Sequence, residues 1–188
     1  MGHAISRAFA AAGAAVAIAD IDPDRAHDAA HELTQAGARA IALVGDVRSR
    51  QDVDGFVANA AAEFGRLDTL VTVVGGQVAF VPAVRLHEMS DDDWDLVYEM
   101  NLRYVARAAR AAIRTFLAQG AVDPSSALGH RSDGRTHAGR LRAAKAGLAS
   151  LARTVAAEYA GDAIRMNVVA CGAIATPVAN SAGTPGSA

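Results

Sequence analysis

The fold is decided by the stretch "AAVAIADIDPDRAHDAAHELTQAGARAIALVGD", residues 14–46. It begins with an apolar run over residues 14–20, which predicts a buried strand, and it ends with a second such run over residues 40–46. Between the two runs, Asp22 and Pro23 predict the N-cap and the first turn of a helix. A strand, a helix and a second strand in this order predict a βαβ unit with two parallel strands.

The same alternation of apolar runs and amphipathic segments continues along the chain. Ser49 opens a predicted helix that ends near Phe64, and residues 67–74 form the next predicted strand. Ser90 precedes three aspartates, and acids stabilise the positive end of a helix dipole, so a long helix is expected from Ser90 to about Leu117. The pattern predicts a parallel sheet with helices on both faces.

Two places depart from this alternation. The chain opens directly on a helical segment, residues 2–14, with no strand before it. Residues 121–142 contain no apolar run, and Pro124 cannot donate to a strand ladder, so no buried strand is expected there. A helix over residues 139–160 and a strand over residues 164–170 complete the predicted elements.

Length and composition fit one domain. The chain has 188 residues, of which 52 % are hydrophobic and 5 % aromatic. Its apolar mass is therefore chiefly Ala, Val, Leu and Ile, which suit the close packing of helices on a sheet. We expect a single domain over residues 1–177, followed by a disordered tail over residues 178–188, which are small, polar and turn-rich.

Charge and cysteine content argue against several classes of function. The formal net charge of −2 does not favour a broad electrostatic grip on nucleic acid or on an anionic membrane. One cysteine, Cys171, excludes an internal disulfide, and the His27/His31 pair lacks a third residue at metal-ligand spacing. No apolar stretch approaches the ~20 residues that span a bilayer, and no signal peptide is visible. The sequence therefore predicts a cytoplasmic protein without a metal site.

Several motifs, taken in order, resemble the classical branch of the short-chain dehydrogenase/reductase family. They are "GHAISRAFAAAGA" at residues 2–14, "ADID" at 19–22, "GDV" at 45–47, "LVTVVGG" at 70–76, Asn101 in a long helix, "AAKAGLASLARTVAAEYA" at 143–160 and "IRMNVVACGAIATP" at 164–177. The resemblance implies an α/β fold, a Rossmann-like doubly wound parallel sheet in three α/β/α layers. The usual first strand and the C-terminal segments of the family are lacking.

The resemblance implies a set of cofactor-binding residues at the carboxyl ends of the strands. Gly2 matches the last glycine of the family's pyrophosphate-binding turn, and Asp20 matches the acid that binds the adenosine ribose. Because a carboxylate there repels the extra phosphate of NADP, NAD is the expected cofactor. Asp46 and Val47 match the pair that holds the adenine ring, with a plain turn role for Asp46 as the alternative.

Further cofactor contacts are implied nearer the nicotinamide. Gly75 keeps the close approach of backbone to cofactor, and Ile174 and Thr176 match the residues that meet the carboxamide group. Thr72 and Val73 replace the two asparagines that the family usually carries at this place. The side-chain hydrogen bonds that brace the central sheet are therefore expected to be lost or reduced.

The resemblance also implies a catalytic set of asparagine, serine, tyrosine and lysine. Asn101 and Lys145 match their positions, and Lys145 also holds the nicotinamide ribose. The tyrosine position, one helical turn before the lysine, carries Leu141. A leucine side chain can neither donate nor accept the proton that must move at the substrate oxygen.

Ser126 resembles the family's serine, which polarises the substrate carbonyl. The spacing from Ser126 to the tyrosine position is slightly longer than usual, so Ser125 and Ser132 stay open as alternatives. The missing tyrosine, strand and apolar pattern all fall within residues 121–142. We interpret this concentration as a local coding disruption, and a start at an internal Met1 fits the lack of a first strand.

We therefore expect an NAD-dependent oxidoreductase of the short-chain type that acts on a secondary alcohol or ketone, and whose sequence as written is inactive. The alternative is a non-catalytic Rossmann-like protein that binds a dinucleotide or a sister subunit. The expected partners are a small alcohol or ketone and further copies of the chain. A homodimer or homotetramer would form through the helices over residues 90–117 and 139–160.

Overall fold

A computed structural model describes residues 1–76, 84–120, 127–132 and 139–170. The strands are β1 (Val16–Asp20), β2 (Ala40–Val44), β3 (Thr69–Thr72), β4 (Ala127–Ser132) and β5 (Arg165–Ala170). The helices are α1 (Gly2–Ala11), α2 (Pro23–Gln35), α3 (Arg50–Phe64), α4 (Asp91–Tyr98), α5 (Tyr104–Ala118) and α6 (Gly139–Glu158). These bounds confirm the predicted alternation of strands and helices.

The strands form two parallel groups within the described residues. β1 pairs with β2, with Val16 opposite Ala40, and β4 lies between β3 and β5. β1 and β3 share no ladder in these residues, so the sheet is in two parts.

The strand β4 corrects the prediction that residues 121–142 contain no strand. Thr69 of β3 lies opposite Ala127, and Ala127 lies opposite Arg165 of β5, both in parallel register. Ladder hydrogen bonds join backbone N–H and C=O groups, so a polar segment can occupy a central position. Pro124 precedes β4 in the sequence and does not interrupt it.

The predicted helix starts are confirmed. Asp22 caps α2, Ser49 caps α3 and Ser90 caps α4, each by accepting hydrogen bonds from backbone N–H groups of the first turn. These caps satisfy amide groups that have no partner inside the helix.

The long helix predicted from Ser90 to about Leu117 is interrupted. A π-helical segment, Glu99–Arg103, separates α4 from α5. Such segments are rare and often mark functional sites. Apolar periodicity did not reveal it, because the segment adds one residue to a turn without changing the residue types.

The main core lies where α5 and α6 pack against the sheet. Val105 and Phe116 of α5, Leu148 of α6 and Ile164 just before β5 are all buried. Burying each large apolar side chain stabilises the fold by about 1.5–3 kcal/mol. The core therefore fixes the distance between the two helices that lead into the site.

The domain limits stay predictions. The single domain over residues 1–177 and the disordered tail over residues 178–188 both depend on residues 171–188, which lie outside the described residues. In the described part of the chain, no helix is both long enough and apolar enough to cross a membrane.

Candidate active site

A glycine turn follows β3 at the carboxyl edge of the sheet. Gly75 and Gly76 both have a φ of 132°, a conformation that residues with a side chain rarely adopt. A Cβ on Gly75 would lie 2.7 Å from Asn101 Oδ1 and 3.2 Å from Lys145 Nζ. Only glycine fits, and the predicted residues Gly75, Asn101 and Lys145 therefore meet at one point.

Asn101 lies inside the π segment and is fully buried. Its Oδ1 accepts a hydrogen bond from the Gly76 N–H at 2.7 Å, and its Nδ2 donates to the Gly76 carbonyl at 3.1 Å. Nδ2 also donates to the carbonyl of Val97 at 2.9 Å. Asn101 is therefore a buried clamp on the glycine turn and not an exposed polar residue of the helix.

Lys145 lies on α6 and is only 8 % exposed. Its Nζ, the Asn101 Oδ1 and the carbonyl of Met100 all lie around the point that a Cβ of Gly75 would occupy. A buried ammonium group is costly unless polar groups surround it, and the region around the glycine turn in which Lys145 Nζ lies is polar. Lys145 is therefore not a solvated lysine of the helix surface.

The small residues of α6 let this helix approach the π segment closely. A Cβ on Gly147 would lie 2.7 Å from Cδ2 of Leu102. One turn before Lys145, Leu141 is 2 % exposed and packs with Val97 in a small apolar cluster. Position 141 therefore presents buried methyl groups where the family resemblance expects a hydroxyl.

Tyr104 is a residue near the site that the sequence analysis did not identify. It lies three residues after Asn101 and is buried. Its hydroxyl donates to the Val74 carbonyl at 2.5 Å and also hydrogen-bonds with the Thr72 side chain. The spacing from Asn101 was the signal that could have revealed it, because residues three apart share a helix face.

Hydrogen bonds from α5 reach the end of β3, through Tyr104 to the Val74 carbonyl and to the Thr72 side chain. The expectation that replacing the asparagines loses or reduces the bracing of the sheet stays a prediction. Burial raises the pKa of Tyr104 far above its ordinary value, so the phenol stays protonated. Tyr104 therefore does not substitute for the acid missing at position 141.

Asp20 ends β1, where the resemblance places the ribose-binding acid. Its Oδ1 accepts a hydrogen bond from the Asp22 N–H at 3.0 Å, and its backbone carbonyl accepts from the Gly45 N–H at 3.1 Å. These bonds join the turn after β1 to the turn after β2. Asp20 and the Asp46–Val47 pair therefore stand on adjoining turns.

Asp46 organises the turn that follows β2. Its Oδ1 accepts from the Arg48 N–H at 2.9 Å, and its Oδ2 accepts from the Arg48 Nε at 2.8 Å. The Arg48 side chain holds the pKa of Asp46 below its usual value. These bonds favour the plain turn role as the primary one, while Val47 packs against the main core.

Gly2 begins α1 close to the glycine turn. A Cβ on Gly2 would lie 3.9 Å from the side chain of Val73. The start of α1 therefore lies beside Val73. This residue directly follows β3 and comes two residues before Gly75.

Other predicted residues fall outside the described residues, and these are Ser125, Ser126, Cys171, Ile174 and Thr176. The alternative serine, Ser132, ends β4 at the carboxyl edge of the sheet. His27 and His31 are exposed on α2, as predicted for a surface pair. In the described residues no group of three His, Cys, Asp or Glu side chains could hold a metal ion.

The family model described as enoyl-(acyl carrier protein) reductase matches residues 1–187 of the chain. Cis-4-hydroxycyclohexanecarboxylate dehydrogenase of Sinomonas cyclohexanicum is 39 % identical over 181 residues, which cover 95 % of this chain and 70 % of that protein. A hydroxy-methyl-oxo-hexahydroindene-carboxyl-CoA reductase of Mycobacterium tuberculosis is 37 % identical over 177 residues, which cover 90 % of this chain and 64 % of that protein.

Among solved structures, 7α-hydroxysteroid dehydrogenase in complex with NADH and 7-oxo glycochenodeoxycholic acid superposes with a TM-score of 0.85 at 26 % identity. The match covers 96 % of this chain and 69 % of that one. The chain therefore belongs to the short-chain dehydrogenase/reductase family of oxidoreductases and has its Rossmann-like α/β fold. It spans about two thirds of the length of its curated relatives.

Proposed function

We propose that the chain is a dinucleotide-binding oxidoreductase of the short-chain type, built to transfer hydride between NAD and a secondary alcohol or ketone. The observation that carries this proposal is the meeting of Gly75, Asn101 and Lys145 at the carboxyl edge of β3. Ligands of doubly wound sheets bind at this edge, and the two glycines let a ligand approach the backbone closely. When bound, the cofactor supplies or accepts the hydride.

The chain's own residues would hold such a cofactor from several sides. Lys145 offers an ammonium group to the ribose hydroxyls, and Asn101 keeps the peptide of Gly76 in place. Gly2 opens α1, whose first backbone N–H groups can bind the pyrophosphate. Asp46 and Val47 would hold the adenine ring. Ile174 and Thr176 would meet the carboxamide group of the nicotinamide.

Asp20 supports NAD over NADP. Its carboxylate stands at the end of β1, the place where an acid binds the ribose hydroxyls in dinucleotide-binding folds. A negative charge there repels the extra phosphate of NADP. The related 7α-hydroxysteroid dehydrogenase is also bound to NADH in its solved structure.

We further propose that the chain as written has essentially no turnover. Carbonyl reduction needs a group that gives a proton to the substrate oxygen, and Leu141 has none. Lys145 can neither polarise nor orient a hydroxyl that is not there. Ser126, or Ser132 at the end of β4, would supply the hydrogen bond to the carbonyl in a repaired sequence.

The second candidate function is a non-catalytic dinucleotide-binding or subunit-interaction protein. The burial of Leu141 against Val97 favours it, because position 141 is packed as ordinary core rather than left as a vacant catalytic position. A non-catalytic dinucleotide-binding protein shares cofactor binding with the first candidate and differs in chemistry, whereas a subunit-interaction protein would lack both.

A titration followed by a turnover assay tests both candidates. The chain is titrated with NADH and NADPH, and is then assayed with NAD and 4-hydroxycyclohexanecarboxylate, and with NADH and a panel of ketones. We expect saturable NADH binding without turnover. A lack of NADH binding would contradict the proposed function, and turnover by the unaltered chain would show that the proton donor lies elsewhere.

We also propose that the chain forms a homodimer or homotetramer through α5 and α6. The exposed face of α6 carries Ala143, Ala146, Ser150 and Ala157, small residues that allow close approach of another helix. Light scattering should report a dimer or larger, and Ala146→Arg should shift it towards the monomer. A monomer for the unaltered chain would contradict this proposal. The cytoplasmic location stays a prediction.

A further inference from the structure

The hydroxyl of Tyr104 is committed to the backbone that leads into the glycine turn. It donates its one proton to the Val74 carbonyl at 2.5 Å, so the Thr72 hydroxyl donates to the same phenol oxygen. Tyr104 is 2 % exposed and Thr72 is 9 % exposed. The pair is therefore shielded from water, and these bonds are stronger than they would be at the surface.

Two side chains from one helix face hold consecutive parts of the turn. Tyr104 binds the carbonyl of Val74, and Asn101 binds both the N–H and the carbonyl of Gly76. Gly75 lies between these anchors, in the left-handed region of φ. Because the anchors stand on either side of Gly75, the orientation of both of its peptide bonds is fixed from the helix.

We propose that Tyr104 is a positioning residue for the dinucleotide site: by holding the Val74 carbonyl it sets the path of the Gly75–Gly76 turn to which the cofactor binds. The proposal rests on the proposed function for its ligand and on the observed hydrogen bonds for its geometry. Tyr104 acts through the backbone and has no role in proton transfer. Burial keeps its phenol protonated by raising its pKa, so the hydrogen bond persists across the working pH range.

The chain offers a matched control at the opposite end of β3. Gln119, just after α5, accepts from the Leu67 N–H at 2.7 Å and donates to the Leu67 carbonyl at 2.9 Å. This clamp also joins the α5 region to the backbone near β3, but it precedes the strand and lies away from the carboxyl edge. Its loss should weaken the fold without changing the glycine turn.

The experiment compares Tyr104→Phe and Gln119→Met in the full 188-residue chain. Each variant is measured for NADH affinity by fluorescence, for amide hydrogen exchange at Gly75 and Gly76 by NMR, and for unfolding in urea. For Tyr104→Phe we expect a rise of about fivefold or more in the NADH Kd, or ~1 kcal/mol, and faster exchange at both glycines. Gln119→Met should leave the Kd within about twofold at a similar loss of stability.

The two readouts separate this inference from the proposed function. If the unaltered chain binds no NADH, the proposed function fails, and the exchange rates at Gly75 and Gly76 decide the positioning role. Unchanged exchange and an unchanged Kd in Tyr104→Phe would overturn the inference, as would an equal rise in Kd for Gln119→Met. If Tyr104→Phe does not fold, Thr72→Val removes the second bond to the phenol and should shift the same readouts by a smaller factor.

Discussion

The side-chain amide of Asn101 holds the peptide of Gly76 by two hydrogen bonds, 2.7 Å to its N–H and 3.1 Å to its carbonyl. The same amide group also reaches back to Val97 in its own helix. Asn101 therefore couples the interrupted long helix to the turn at the end of β3, which is the turn that faces the proposed cofactor.

Replacing Asn101 with Leu should destabilise the chain and weaken cofactor binding. The change keeps the volume but removes the bonding partners of the half-buried Gly76 peptide and of the buried Val97 carbonyl, and a buried polar group left without a partner costs about 1–3 kcal/mol. Urea unfolding should show a loss in that range, and the NADH Kd should rise. The exposed Arg110 provides the control, since Arg110→Ala should change neither value; an unaltered Kd in Asn101→Leu would count against the clamp.

Replacing Leu141 with Tyr should give turnover to a chain for which we propose essentially none. A hydroxyl one turn before Lys145 supplies the missing general acid, and such groups contribute about 10²–10⁴-fold to rate. The bulkier ring must displace Val97, so we expect a stability cost of about 1–3 kcal/mol.

The matched control for this change is Leu141→Phe, which adds the ring without the hydroxyl. Turnover of a ketone panel with NADH, followed by absorbance, should appear in the tyrosine variant alone. Equal activity in both variants, or inactivity of the tyrosine variant with NADH bound, would contradict the role assigned to position 141.

Replacing Asp20 with Ser should narrow the preference for NADH over NADPH. The carboxylate repels the extra phosphate, and two unit charges about 4 Å apart near a surface interact by roughly 4 kcal/mol before screening by salt. Calorimetric titration with both cofactors measures the ratio of the NADPH Kd to the NADH Kd. Asp24→Ser removes the same charge from the exposed first turn of α2 and should leave the ratio unchanged; tighter binding of NADPH by the unaltered chain would refute the preference.

The Asp46–Arg48 pair should make stability depend on acid pH. The Arg48 hydrogen bond lowers the pKa of Asp46 in the folded state below the value of 3.8 taken for the unfolded state. The contribution of the pair to the stability of the fold is therefore complete above pH 3.8, and it is lost as the pH falls through the lowered pKa of Asp46. Arg48→Met should lower Tm at about pH 6 and lose most of this effect by about pH 2. A Tm difference that stays constant across this range would contradict the prediction.

Much of the fold was predictable because its signals are local in sequence. The apolar runs that became β1, β2 and β5 and the caps at Ser49 and Ser90 act within a few residues. β4 was missed because its ladder is formed by backbone groups that pair with the neighbouring strands β3 and β5. The polar side chains of this segment give no signal of that pairing.

The site was predictable where a residue of a particular type stands at a position that the family motifs fix. Gly75, Asn101 and Lys145 were named from spacing and resemblance, and the structure brings them together. Tyr104 was missed because a buried tyrosine in a helix is ordinarily core, and its hydrogen bond to Val74 depends on a turn distant in sequence. The π segment was missed because it adds one residue to a turn without changing the residue types.

The most direct test of the central claim is an NADH titration of the unaltered chain beside Gly75→Ala and Gly55→Ala. Gly75→Ala forces a side chain into a φ of 132° and places its Cβ 2.7 Å from Asn101 Oδ1. Gly55 lies within α3 with no atom within 4 Å of an added Cβ, so Gly55→Ala should stabilise the helix by roughly 0.5–1 kcal/mol and leave binding unchanged. We expect saturable NADH binding by the unaltered chain and by Gly55→Ala. Binding by Gly75→Ala should be at least about tenfold weaker. Equal NADH affinity for all three chains, or no binding by the unaltered one, would contradict the claim that Gly75, Asn101 and Lys145 form a dinucleotide site.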